Sequence, residues 1–299
     1  MAVTLRLDRQ LSLRAPAKLN LGLEVLGRRA DGYHQLVTIL QAVDIVDVIR
    51  MTPADEPRYE PLPGELPQTD LLARALTLAR DELGIELAAE VTLEKHIPVA
   101  AGLGGGSSDA GTLLGALGQL AGVPVDRAER AAAKLGSDVP FFVRGGTALA
   151  TGTGTWLTPL LALPGVWFVV AVPDLRLPDK TRRLYAALRP ADYSDGSQTL
   201  EQASRLRRGL PLDPSLLRNA FTRALMDFEP VRAACRALRE SGAETVLPSG
   251  AGPALFATFA SRQGAEAAAR QLRQFVPRAF ACAPLRPTAE SSRSPDRHQ

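Results

Sequence analysis

The stretch Pro98-Val-Ala-Ala-Gly-Leu-Gly-Gly-Gly-Ser-Ser108 decides how the rest of the chain is read. It sets four glycines and two hydroxyls just before Ala110, Leu113, Leu114, Leu117 and Leu120, whose spacing is that of a helix ending before Gly122 and Pro124. The glycines therefore sit at a helix N-terminus, where free N–H groups and the helix dipole attract anions. Polyphosphate is the guest that such a loop fits. Glycine is needed because a Cβ would hold phosphate away from the backbone donors, and because tight loops use positive φ. The run lacks the lysine of GxxxxGK[ST] and its glycines do not match GxGxxG, which excludes the two commoner phosphate motifs. A flexible linker would not join a strand to so periodic a helix.

On the N-terminal side, every odd position from Leu11 to Val25 is apolar, the period-two pattern of a half-buried strand. Its other face carries Ser12, Arg14, Lys18, Asn20 and Glu24, so Lys18 and Asn20 project together, about 7 Å apart along the strand. They can reach one ligand. Asp70 reads as the cap of a helix carrying Leu71, Leu72, Ala75, Leu76, Ala79 and Leu83 and stopping at Gly84, and 90–93 reads as a short strand. Beyond the glycine loop, a helix is expected from an Asp126 cap, with Glu129 three residues later, to Gly136, leaving Asp138 in the connecting loop. The second half mixes strands (166–172, 254–259) with helices (216–226, 231–239, 265–275), divided from the first half around 155–164. The tail from Arg286, rich in Ser, Pro and Arg, reads as disordered.

At 299 residues with 45% hydrophobic content, the chain is long enough for two modest domains sharing an interface. Its net charge of +3, from 35 Lys and Arg against 32 Asp and Glu, is too small for a basic patch, and no aromatic residues interleave with basic ones. No nucleic-acid partner is expected. Cys235 and Cys282 form no CxxC pair and read as two buried free thiols in a reducing compartment, so the expected location is cytoplasmic. Met1 is followed by polar, charged sequence rather than a secretion signal, and the apolar run 160–172 is too short to span a bilayer and contains Pro164. No membrane role is expected. Of the three histidines, His298 lies in the tail and His96 reads as a strand-end surface residue, which leaves His34. No HExxH or comparable metal-ligand spacing occurs.

With these residues in view, the chain resembles the GHMP kinases, the superfamily of galactokinase, homoserine, mevalonate and phosphomevalonate kinases that carries this PxxxGLGGGSS loop. Ala15-Pro-Ala-Lys-Leu-Asn-Leu21, Arg29-Ala-Asp-Gly-Tyr-His34 and Gly136-Ser-Asp-Val-Pro-Phe-Phe142 narrow the resemblance. They are similar to the branch that phosphorylates the 2-hydroxyl of a cytidine-diphosphate-linked methylerythritol in isoprenoid precursor synthesis. The similarity covers nearly the whole chain apart from the tail. It implies an α+β, two-domain fold: an N-terminal ATP-binding domain over 1–158 of the ribosomal S5 domain 2-like kind, a C-terminal ferredoxin-like domain over 159–285, and a disordered tail over 286–299. ATP and substrate would meet in the cleft between the domains, in a monomer or homodimer.

The resemblance also assigns roles. Pro98, Val99, Ala100, Ala101, Gly102, Leu103, Gly104, Gly105, Gly106, Ser107 and Ser108 would hold ATP, Asp138 would be the catalytic base and Lys18 would act beside it. Asn20 would position the acceptor, and Tyr33 and His34 would bind the cytosine; beside these roles, Thr181 and Tyr185 are read as candidates to meet the same acceptor from the second domain. Read on their own chemistry, Lys18 and Asp138 are either a proton-accepting pair or a surface salt bridge, with Asp138 a turn residue before Val139-Pro140. Tyr185 either covers the cytosine or packs its helix onto the sheet. Mg²⁺ is expected with ATP, because it bridges phosphate oxygens while keeping several waters, and Ser108 is either a hydroxyl near that ion or a helix cap. The third family motif, Ser249-Gly-Ala-Gly-Pro253, departs from pattern: Pro248 replaces methionine, and Ala251 and Ala254 replace hydroxyl residues. Asp70 stands where asparagine is frequent, so an amide contact to the nucleotide base is missing. Mevalonate or homoserine kinase activity is the rival enzyme reading, since loop and base serve any alcohol.

Overall fold

The computed structural model describes residues 3–61, 70–276 and 278–287, so the expected tail lies outside the described residues from 288 onward. The first half contains β1 (Val3–Arg6), β2 (Leu11–Arg28), β3 (His34–Pro53), β4 (Arg58–Tyr59), α1 (Leu71–Leu78) and β5 (Ile85–Glu94). It continues with α2 (Gly105–Leu120), α3 (Val125–Ala132), α4 (Val139–Arg144), β6 (Thr147–Gly152) and β7 (Trp156–Leu160). The second half contains β8 (Trp167–Val172), α5 (Lys180–Ala186), α6 (Ser197–Arg207), α7 (Thr222–Leu225) and α8 (Glu229–Glu240). It ends with β9 (Val246–Pro248), β10 (Leu255–Phe259), α9 (Arg262–Leu272) and β11 (Arg278–Cys282).

The spine is the long antiparallel pair β2 and β3, paired from Leu11 with Met51 to Arg28 with His34 through register shifts after Pro16, Asn20 and Val25. On its far edge β3 splits its partners: 36–41 pair with β6, and 48–53 with β5. One sheet thus runs β1-β5-β3-β6-β7, with β2 on β3 and β4 on β5. The second sheet is antiparallel in the order β11-β8-β10-β9. With α8 between β8 and β9 and α9 between β10 and β11, this is the β-α-β-β-α-β arrangement of a ferredoxin-like unit. Because successive side chains of a strand face opposite ways, β8 serves two layers. Phe168, Val170 and Val172 pack on Ala17, Leu19 and Leu21 of the first sheet, whereas Val169 and Ala171 pack under α8 and α9.

Several expectations change. The strand from Leu11 is half-buried only to Pro16; from Ala17 to Val25 both faces are covered. A bulge at Leu21, where Asn20 opposes Leu40 and Gly22 opposes Ile39, reverses the faces, as an extra residue in a strand must. Leu23 therefore follows Lys18 and Asn20 into the cleft, and Glu24 does not. Glu24 is buried, accepting from Ser194 Oγ at 2.8 Å and from Thr199 N at 2.7 Å in the first turn of α6. The helix after Asp70 does form, with Asp70 Oδ1 accepting from Leu72 N at 2.8 Å, and relaxes into a π turn over Ala79–Leu83 before Gly84. Asp126 is not a cap: Pro124 precedes the helix, and Asp126 and Glu129 bind the Arg144 guanidinium instead. The strand expected at 90–93 begins at Ile85, where parallel pairing with β1 extends it. The helix expected over 216–226 shrinks to α7, because Leu23 N and O bond Arg218 O and Ala220 N and hold that stretch extended beside β2. The division at 158 falls inside β7, whose Leu160 still pairs with Thr147 in the first sheet. Both cysteines are buried free thiols, and His96 is a surface residue 3.0 Å from Glu94. Among the described residues, no helix is long and apolar enough to cross a membrane.

Candidate active site

Between the two halves lies a cleft of about 1340 Å³ lined by Lys18, Asn20, Tyr33, His34, Asp138, Thr181 and Tyr185 among others. The residues expected on the acceptor side are all brought together there. Lys18 Nζ donates to Asn20 Oδ1, and Asn20 Nδ2 donates to Thr38 Oγ1 at 2.9 Å. Thr38 in turn donates its only hydroxyl proton to Gly22 O at 2.5 Å, so toward Asn20 it can only accept. The Asn20 amide is thereby fixed with its oxygen on the lysine. Asp138, at the N-terminal end of α4, places Oδ2 3.7 Å from Lys18 Nζ and is partly open to the cleft. Burial lowers the Lys18 pKa below its ordinary value, against the opposing pull of the Asp138 carboxylate.

His34 opens β3, its ring stacked on Tyr185 with centroids 4.5 Å apart and flanked by Tyr193 at 6.4 Å. Burial, then the Arg28 charge, pushes its pKa below the ordinary 6.5, so at neutral pH the imidazole is uncharged and offers one donor and one acceptor. Tyr33 stands at the cleft mouth, 68% exposed. Tyr185 also meets Phe221 edge-on at 4.9 Å, and burial raises its phenol to about 12, with the Asp138 charge adding to it.

A second cavity of about 330 Å³ opens on the other side of the glycine loop, and both cavities reach Gly102 and Gly104. Of the loop residues expected to hold nucleotide, Pro98 to Gly102 and Gly104 to Ser107 line this smaller cavity, while Leu103 packs into the core between the sheets. The loop's carbonyls from Ala100 to Gly104 are all engaged. Ala100 O accepts from Lys180 Nζ at 2.6 Å, Ala101 O from Ala254 N at 2.9 Å and Gly102 O from Ser249 Oγ at 3.0 Å. Leu103 O accepts from Lys18 N at 2.9 Å, and Gly104 O from Ser108 N at 2.8 Å. Among the described residues, no N–H from Val99 to Ser107 donates to another protein group. Gly102 has φ +88°, and a Cβ there would lie 2.4 Å from Ser249 O. The Ser249–Pro253 turn thus braces the loop through Ser249, despite lacking hydroxyls at Ala251 and Ala254.

Beside the smaller cavity, Lys95 Nζ bonds both Asp47 and Asp109 at the base of α2, and burial pushes the Asp109 carboxyl upward. Among the described residues there is no cluster of three or more His, Cys, Asp or Glu side chains able to hold a metal ion. A phosphate-borne Mg²⁺ needs few protein ligands, and the Ser108 hydroxyl, fully buried without a hydrogen-bond partner in the first turn of α2, is an oxygen that fits one. Lys180, Thr38, Tyr193 and Lys95 were not singled out from sequence. Each reaches the site by tertiary approach, and only Lys180, adjoining Thr181, carries a local hint.

The GHMP kinases N terminal domain model matches residues 70–146, and the GHMP kinases C terminal model matches 215–278. A 4-diphosphocytidyl-2-C-methyl-D-erythritol kinase of Dehalococcoides mccartyi is 38% identical over 262 residues, 86% of this chain and 92% of that protein. The enzyme of the same name from Gloeobacter violaceus is 38% identical over 266 residues, 85% of this chain and 87% of its own length. A crystal structure of 4-(cytidine 5'-diphospho)-2C-methyl-D-erythritol kinase superposes with a TM-score of 0.78 at 36% identity, covering 91% of this chain and 98% of its own. Homoserine kinase from Cytophaga hutchinsonii shares the fold at a TM-score of 0.70 and 18% identity. The chain therefore belongs to the 4-diphosphocytidyl-2-C-methyl-D-erythritol kinase family of the GHMP kinases, enzymes that use ATP.

Proposed function

We propose that this enzyme transfers the γ-phosphoryl group of ATP to the 2-hydroxyl of 4-diphosphocytidyl-2-C-methyl-D-erythritol in isoprenoid precursor synthesis. The observation that carries the reading is the glycine loop, whose carbonyls from Ala100 to Leu103 are all bonded outward while its N–H groups stay free, between a nucleotide-sized cavity and a larger acceptor cleft. Free N–H groups at the start of a sixteen-residue helix suit a polyphosphate. Phosphoryl transfer then asks for charge stabilisation, in-line placement of the acceptor oxygen and a destination for its proton. The Lys18 ammonium orients the acceptor oxygen and attracts the transferring phosphoryl. The Asp138 carboxylate takes the hydroxyl proton as the new O–P bond forms, and ADP leaves with the electrons of the old one. Mg²⁺ carried by ATP would sit by Ser108 and, when bound, neutralises phosphate charge.

Selection of the acceptor rests on the His34, Tyr185 and Tyr193 stack with Tyr33 at the rim: flat faces for a pyrimidine, and a neutral imidazole able to read its edge. Asn20, locked by Thr38, and Thr181 meet the polyol. The test is phosphorylation of a panel comprising the cytidylyl methylerythritol, free methylerythritol, mevalonate and homoserine. The cytidylyl compound should exceed every other by at least about 10² in kcat/KM, the size of discrimination that buried polar and stacking contacts supply. Equal use of mevalonate or homoserine would overturn the reading.

A further inference from the structure

Among the described residues, Lys180 is the one side chain of the second half's helices that hydrogen-bonds the glycine loop. It begins α5, the helix that also carries Thr181 and Tyr185, and its Nζ donates to Ala100 O at 2.6 Å and to Gly252 O. It therefore joins three pieces of chain: the acceptor-side helix, the glycine loop and the Ser249–Pro253 turn. The contact with Ala100 matters because Ala100 has φ +56°, a left-handed conformation that disfavours a residue with a Cβ by about 1–2 kcal/mol. Three other loop carbonyls are turned outward by Ala254 N, Ser249 Oγ and Lys18 N, and Gly104 O closes the first turn of α2. At Ala100, among the described residues, only this ammonium does so, and a carbonyl left unpaired beside the nucleotide would meet phosphate oxygens with like partial charge.

We propose that Lys180 is a positioning residue for nucleotide binding, clamping the Ala100 carbonyl away from the phosphates and tying the acceptor-side helix to the glycine loop. The inference rests on the kinase reading above. Burial, then the nearby Lys18 charge, lowers the Lys180 ammonium to about 8, so at neutral pH it still carries the proton it donates to the two carbonyls.

The test compares wild type, Lys180→Met and Lys180→Arg, each checked for folding by thermal melting. Binding of a nonhydrolysable ATP analogue is measured by calorimetry, and steady-state constants are measured for both substrates. Lys180→Met should weaken the analogue and raise KM for ATP about tenfold, a larger rise than that in KM for the acceptor, whose cleft Lys180 also lines. Lys180→Arg, whose guanidinium can still donate to two carbonyls, should stay within about threefold of wild type for ATP. A folded Met variant that binds the analogue as wild type does overturns the clamp, as does a fall in kcat at saturating ATP with unchanged ATP affinity. If the Met variant does not fold, the Arg variant decides: retained affinity supports the clamp, and a tenfold loss in a folded protein overturns it. A wild type that binds no ATP analogue would overturn the kinase reading itself, a result separate from any of these.

Discussion

Lys18 is buried beside a carboxylate and a fixed amide, and that combination makes its charge depend on Asp138. Asp138→Asn should retain the fold and ATP affinity and lower kcat by about 10² or more, the usual contribution of a general base. The pH dependence follows from the sign of the Lys18 shift. Burial lowers the lysine and Asp138 raises it, so activity that needs the ammonium declines as pH rises toward a value below the ordinary 10.5. Removing the carboxylate leaves burial unopposed, and the alkaline limb of the residual Asp138→Asn activity should move to lower pH; an unmoved or raised limb would separate the two groups. For recognition, Tyr33→Ala should raise KM for the cytidylyl acceptor about tenfold, equivalent to 1.4 kcal/mol, with KM for ATP nearly unchanged. Loss of ATP affinity instead would put the tyrosine on the wrong ligand. All seven residues read from sequence as catalytic or acceptor-binding line one cleft, because short motifs bind them to a local geometry. Thr38 and Tyr193 escaped because their roles exist only once β3 and the chain before α6 fold against β2.

At the scale of elements, the glycine loop and α2 were readable because helical periodicity and glycine placement are local signals. The helix expected over 216–226 fails for the opposite reason. Its apolar spacing is helical, but Leu23 takes the backbone bonds of Arg218 and Ala220, and Asn219 Nδ2 reaches Pro248 O and Gly250 O, both at 2.9 Å. The face reversal at Leu21 was equally hidden, since a bulge leaves no mark in an alternating pattern. The loop's glycines should respond unequally to substitution. Gly102→Ala meets Ser249 O and Gly252 O at 2.4 and 2.8 Å and has φ +88°, so it should lower the melting temperature as well as ATP affinity. Gly105 has no positive φ, and its nearest neighbours, Ile97 and Lys95 Nζ at 3.2 Å, are side chains. Gly105→Val should therefore keep the fold and weaken ATP alone, as thermal melting combined with an ATP titration would show. Equal melting losses in both variants would contradict this distinction.

Across the whole molecule, β2 supplies Ala15 to the core under α1 and α2, Leu19 and Leu21 to the layer between the sheets, and Leu23 and Val25 to the core under α8. The two halves of the chain therefore share one strand, and their stabilities should not separate. Urea should produce a single transition, coincident by circular dichroism and by the fluorescence of Trp156 in the first sheet and Trp167 in the second. Leu19→Ala, at a fully buried position between the sheets, should cost about 2–5 kcal/mol and shift that one transition without splitting it. The same sharing brings the smaller cavity and the larger cleft together at Gly102 and Gly104, the junction that the proposed phosphoryl transfer requires. A crystal structure with a nonhydrolysable ATP analogue and the cytidylyl methylerythritol tests this directly. The account predicts the nucleotide's phosphates on the N–H groups of Gly102 to Ser107, the cytosine at His34, Tyr33 and Tyr185, and the acceptor's 2-hydroxyl within hydrogen-bond distance of both Lys18 and Asp138. Phosphates bound away from the loop, or a hydroxyl beyond reach of Asp138, would contradict it.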